Sequence, residues 1–170
     1  MKPTTRHGTG QTGEYLVAAE LARLGFTVAL PTGNAEVIDI LAHGPGKSFA
    51  VQVKTAARGD HQFNLGKFID ISFEDDDRQT VHGRLPGLDS DVLIAFVFLG
   101  ETAGEDEFAW TTVGEFADFL GAAHKAYLDR NNGRRPGKNP RSLHAAHNKT
   151  SLQSKFPAKS ALEVLGAKPE

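Results

Sequence analysis

Residues Val92 to Leu99 read VLIAFVFL, eight apolar residues in succession without a charge. A run of that length is too short for a membrane span. It lacks the polar alternation of a half-exposed strand, so it has to be a strand covered on both faces. A chain built around such a strand needs layers on both sides of a sheet, which predicts an α/β fold.

The flanking pattern agrees. Gly13 to Leu24 is predicted as a helix stopped by Gly25, after a Thr/Gly-rich arm over 1–12. Short strands are predicted at Phe26–Leu30, Glu36–Ala42 and Ser48–Thr55, the last two as a hairpin across Gly44-Pro45-Gly46. Residues 56–90 allow either a further strand or a short helix. Glu107–Val113 reads as an edge or outer strand. In Val113–Asp129, Phe116, Phe119, Leu120, Ala123 and Tyr127 fall on one helical stripe.

Charge divides the chain. Residues 1–129 carry 10 Lys/Arg against 19 Asp/Glu, and residues 130–170 carry 9 against 2. The division predicts a domain over 1–129 and a basic, weakly structured tail over 130–170, with short helices near Ser142–Asn148 and Ser160–Leu165. Such a tail suits a polyanionic partner. Arg134, Arg135, Lys138, Arg141 and Lys149 are the candidate nucleic-acid contacts. The competing expectation is a tail that folds back on the acidic run Glu74–Asp77 and neutralises it. Without cysteine there are no disulfides or thiolate metal sites. The sequence shows no signal-peptide pattern, so a cytoplasmic protein without a membrane segment is expected.

Four residues stand out as chemistry. Glu14 shares a helical stripe with Val17, Ala18, Leu21 and Leu24, the face that must pack on the sheet. A carboxylate there either complements the helix dipole or holds a cation. Asp39 is the one charge in VIDILA. In FAVQVKT, Gln52 and Lys54 are two apart and share a strand face. If the hairpin forms, Asp39 sits beside them. An Asp39–Lys54 ion pair is the purely structural alternative.

Taken in order, GEYLVAAELARLGF, VIDILA and FAVQVKT resemble the PD-(D/E)XK nuclease superfamily, which includes restriction endonucleases and Holliday-junction resolvases. The resemblance covers residues 10–55 well and Val92–Leu99 loosely. Ile38 stands where proline is common, and Gln52 stands where Asp or Glu is usual. The resemblance implies a restriction-endonuclease-like core: a mixed central sheet flanked by helices. It implies Mg²⁺-dependent hydrolysis of DNA, with Mn²⁺ as a substitute. Glu14, Asp39, the Gln52 amide oxygen and the Val53 carbonyl would be the metal ligands, and Lys54 would act on the attacking water. It admits a homodimer. A catalytically weak nucleic-acid-binding module on the same fold is the alternative that Gln52 keeps open.

Three other motifs carry less. Gly8–Gly13 precedes a helix, but no strand comes before it and Glu14 stands where a phosphate-binding loop needs Lys. His144 and His147 lack a third zinc ligand nearby in sequence. Glu74–Asp77 lacks the ligand spacing and glycine of a calcium loop.

Overall fold

The computed structural model describes residues 5–31, 38–44, 46–137 and 139–166. Helix α1 (Arg6–Arg23) starts earlier than its Gly/Thr-rich sequence suggests. Thr5 caps it, its hydroxyl accepting from the Gly8 amide at 3.1 Å. The Thr9 and Thr12 hydroxyls donate back to the carbonyls of Thr5 and Gly8. These bonds extend the helix into the segment expected to be a loose arm.

Strands β1 (Thr27–Ala29), β2 (Ile40–Gly44) and β3 (Lys47–Ala56) follow, then β4 (His61–Asn64), a 3₁₀ turn at Leu65–Lys67, β5 (Ile69–Phe73) and β6 (Gln79–Arg84). The apolar run is β7 (Leu93–Phe98), buried at every position. Strand β8 (Glu107–Thr112), helix α2 (Val113–Arg130), strand β9 (His144–His147) and helices α3 (Lys149–Lys155) and α4 (Ala161–Val164) complete the order. Glu36, Val37 and Pro45 lie outside the described residues, as does Lys138. No helix among the described residues is long and apolar enough to cross a membrane.

The chain forms two compact units. The first comprises 1–61, 92–112 and 147–170. Its five-stranded mixed sheet has the order β1-β2-β3-β7-β8. The hairpin expected from the turn residues is there: β2 and β3 are antiparallel, Ile40 opposite Val51. Strands β3 and β7 are parallel, and β8 is the outer strand. One face of the sheet packs Ile40, Ala42, Val51, Val53, Leu93, Ala95 and Val97 against Val17 and Leu21 of α1. Ala161 of α4 joins that cluster. On the other face, Phe156 stacks on Phe96 with ring centroids 6.0 Å apart. Helices thus flank a mixed sheet, the α/β fold expected.

The second unit comprises 62–91 and 113–146. It holds the β5–β6 hairpin and α2, and β4 pairs with β9. The buried stripe of α2 runs through Phe116, Ala117, Leu120, His124 and Leu128. It is rotated from the predicted stripe because His124 lies inside, donating from Nε2 to the Gln79 side-chain oxygen at 2.8 Å. Burial and the nearby Arg135 charge lower the His124 pKa to about 4, so the ring is neutral.

Among the described residues after 130, strand β9 and helices α3 and α4 stand where composition suggested a loose tail. Leu152 and Ala161 are fully buried and Phe156 nearly so. The Trp110 amide donates to the Ala158 carbonyl at 2.9 Å. Ser142–Asn148, expected as helix, contains strand β9 instead. Three isolated apolar residues are enough to fix this segment, which low average hydropathy conceals.

One glycine sets how closely α1 lies on the sheet. A Cβ built on Gly13 would stand 1.8 Å from the Thr55 Oγ1. Gly13→Ala should therefore destabilise the protein by about 1–3 kcal/mol despite the better helix propensity of alanine. Adding Thr55→Ala should recover most of that loss, as read by chemical denaturation. Equal stability of Gly13→Ala and wild type would show that the helix seats elsewhere.

Candidate active site

The site is built where β2 stops short. Ile40 and Val51 are the last paired residues of β2 and β3, and Asp39 stands one step before Ile40. The Asp39 amide still donates to the Val51 carbonyl at 3.0 Å. Its side chain then takes over where backbone pairing ends: Asp39 Oδ2 accepts from the Val53 amide at 2.7 Å. The carboxylate is thereby fixed against β3. In an extended strand the amide and carbonyl of one residue face the same edge, so the Val53 carbonyl is directed to the Asp39 side of β3.

Gln52 and Lys54 share the sheet face opposite the α1 cluster, with Ile94 and Phe96 beside them on β7. Gln52 is 8% exposed, and its amide oxygen is buried with no hydrogen-bond partner among the described residues. Leaving an acceptor in that state costs about 1–3 kcal/mol. Such an atom suits a ligand that supplies positive charge. The Lys54 carbonyl accepts from His61 Nε2 at 3.0 Å. The His61 ring packs edge-on against Phe98, centroids 4.9 Å apart, and burial lowers its pKa. His61 therefore anchors the backbone that carries Lys54. Nothing in the local sequence marks it, because its partner is a main-chain carbonyl reached through the fold.

Glu14 comes from α1, one residue after the glycine that seats the helix against Thr55. Partial burial first, and the Asp39 charge second, raise its pKa above the usual carboxylate range, while His7 opposes the shift. His7 lies two helical turns before Glu14 on the same side of α1. The coupling shows that Glu14 and Asp39 share one electrostatic neighbourhood. The two carboxylates and the Gln52 amide oxygen are donors of the types that suit a hard divalent cation. Among the described residues no group of three His, Cys, Asp or Glu side chains stands together. Here the third donor is an amide. His144 and His147 are three apart on a strand, which sends them to opposite faces and removes the zinc reading.

The expected nucleic-acid residues are placed differently from one another. Arg134 pairs with Asp77, Arg141 pairs with Asp76 at 3.3 Å, and Lys149 pairs with Glu107. Arg135 donates to the His144 carbonyl at 2.8 Å, and its amide donates to the Asp77 carbonyl at 2.7 Å. The Arg141 guanidinium also lies over the Phe73 ring. The segment around 134–141 thus embraces the acidic run Asp76-Asp77, the competing arrangement weighed from composition. Lys138 lies outside the described residues.

A family model described as PD-(D/E)XK endonuclease matches residues 4–146, most of the chain and all four residues of the candidate site. No curated protein and no solved structure matches the chain.

The raised pKa of Glu14 has a consequence for stability. A carboxyl whose folded pKa lies above its unfolded value stabilises the fold while protonated, and that contribution disappears as pH rises through the folded value. At neutral pH the ionised Glu14 is a burden. Glu14→Gln should raise Tm at pH 7 and leave it nearly unchanged in acid, below the carboxylate range. A lower Tm at pH 7 would mean that the charge is already compensated within the chain.

Proposed function

The chain belongs to the PD-(D/E)XK endonuclease family, and on that premise we propose that it is a divalent-cation-dependent nuclease hydrolysing phosphodiester bonds in DNA. The observation that carries the reading is the buried, unpartnered Gln52 oxygen on the same stretch of β3 to which Asp39 is hydrogen-bonded. Glu14, Asp39, the Gln52 amide oxygen and the Val53 carbonyl would hold the cation, Mg²⁺ by preference and Mn²⁺ as a substitute.

A cation held there supplies Lewis acidity to the phosphate and acidifies water. The chain's own residues do the rest. Asp39, held by the Val53 amide, presents its remaining oxygen in one orientation. Gln52 contributes an oxygen without adding a third negative charge, which limits repulsion of the phosphate. Lys54, on the same face, orients the attacking water and offers its ammonium to the charge that develops on the phosphate oxygens. His61 positions Lys54 through the backbone.

The same substitution supports a second reading. An amide in place of an acid weakens the hold on a cation, which favours a nucleic-acid-binding module of low activity. In both readings Arg134, Arg135, Lys138, Arg141 and Lys149 are proposed to contact phosphates. Exposed ion pairs are worth only about 0–1 kcal/mol, so a polyanion can displace the carboxylates now paired with Arg134, Arg141 and Lys149. A cytoplasmic enzyme, pairing as a homodimer where both strands are cut, completes the proposal.

Incubation with linear, supercoiled and branched DNA in Mg²⁺ or Mn²⁺ tests it. Cleavage should require the ion and stop with chelator. Lys54→Ala should lower the rate by about a hundredfold or more while leaving the fold intact. DNA binding without cleavage by the wild type would favour the second reading. An active Lys54→Ala variant would remove Lys54 from the mechanism.

A further inference from the structure

The face of the sheet that carries Gln52 and Lys54 continues, open, onto β2 and β1. Register places Leu41 opposite Ala50 and His43 opposite Ser48, with Ala29 and Thr27 beside them on β1. Cross-strand partners point to the same side, so these side chains extend the row that holds Gln52. The opposite faces of the same strands are buried against α1. This one is not: Leu41 is 48% exposed, the second most exposed large apolar side chain among the described residues. A groove of about 440 Å³ lies here, lined by Thr27, Ala29, Leu41, His43 and Ser48. His43 Nδ1 and Ser48 Oγ are hydrogen-bonded at 2.8 Å, which fixes the imidazole plane at the edge of the groove.

We propose that this groove seats an unpaired nucleobase of the DNA strand whose phosphate enters the Asp39–Gln52 site. The inference rests on the nuclease reading above. Leu41 is two residues along β2 from Asp39, about 7 Å at ordinary strand rise, within reach of a nucleotide attached to a phosphate at the site. The lining explains why the occupant is a base. Among the described residues no Lys or Arg lines it, so it offers little to a phosphate backbone. A leucine, an alanine and small hydroxyl side chains form a floor for an apolar ring face. The imidazole adds a second ring and an edge able to hydrogen-bond a base. In a duplex the base faces are stacked on one another and unavailable. An unpaired nucleotide presents them, so the substrate class is single-stranded DNA, or a branched or flapped end with unpaired nucleotides.

Fluorescence anisotropy with a labelled single strand of about 12 nucleotides and a duplex of the same length tests this on the full chain in Mg²⁺. Cleavage of unlabelled DNA is followed in parallel. The wild type should bind the single strand more tightly. Leu41→Asp and His43→Ala should each raise its Kd by about fivefold or more, with the duplex Kd moved by less than about twofold. Leu41→Thr, which keeps strand propensity, should act in the same direction and guards against a folding defect in Leu41→Asp. If cleavage persists but all three variants bind the single strand as wild type does, the groove is overturned and the nuclease reading stands. Preference of the wild type for duplex overturns it likewise. A wild type that neither binds nor cuts any of these DNAs overturns both.

Discussion

A hydrogen bond from the Val53 amide to the Asp39 carboxylate, at 2.7 Å, stands where the β2–β3 ladder would otherwise continue. Backbone pairing ends at Ile40 and Val51, and the side chain of Asp39 takes the next donor. The substitution does two things at once. It satisfies an amide at the edge of β3, and it fixes the carboxylate beside the carbonyl edge of that strand. Glu14 follows Gly13, the residue that lets α1 lie against Thr55. Strand alternation puts Gln52 and Lys54 on one face of β3.

Electrostatics then ask for something the chain does not supply. Partial burial and Asp39 raise the pKa of Glu14, and the Gln52 oxygen is buried without a donor. Both features are unfavourable in isolation, and the cation proposed above would relieve both. Elsewhere charges are paired internally: Arg84 clasps Asp118 with two hydrogen bonds of 2.7 and 2.6 Å, and Arg134 and Arg141 meet Asp77 and Asp76.

Much of the first unit was legible because its signals are local. The unbroken run at β7, the turn residues between β2 and β3, and the alternation of Gln52 and Lys54 each follow from short-range periodicity. The start of α1 was hidden by Gly8, Gly10 and Gly13, whose weak propensity is offset by the Thr5 cap and by packing on Thr55. Residues 56–90 resist reading because their strands are short and β5–β6 contains a register shift between Asp70 and Ile71. The segment after 130 was hidden for another reason. Its Leu152, Phe156 and Ala161 are too sparse to form a pattern, and the carboxylates that pair its arginines lie far away in sequence. The residue types of the candidate site could be read, but His61 could not, since it acts through a main-chain carbonyl.

The central claim is that Glu14, Asp39 and Gln52 form one cation site, and calorimetric titration of Mn²⁺ into the metal-free protein measures it directly. The account predicts saturable binding of an ion that is abolished in the Glu14→Gln/Asp39→Asn double variant, with the fold retained by circular dichroism. Binding unchanged in that variant, or none in the wild type, would contradict it.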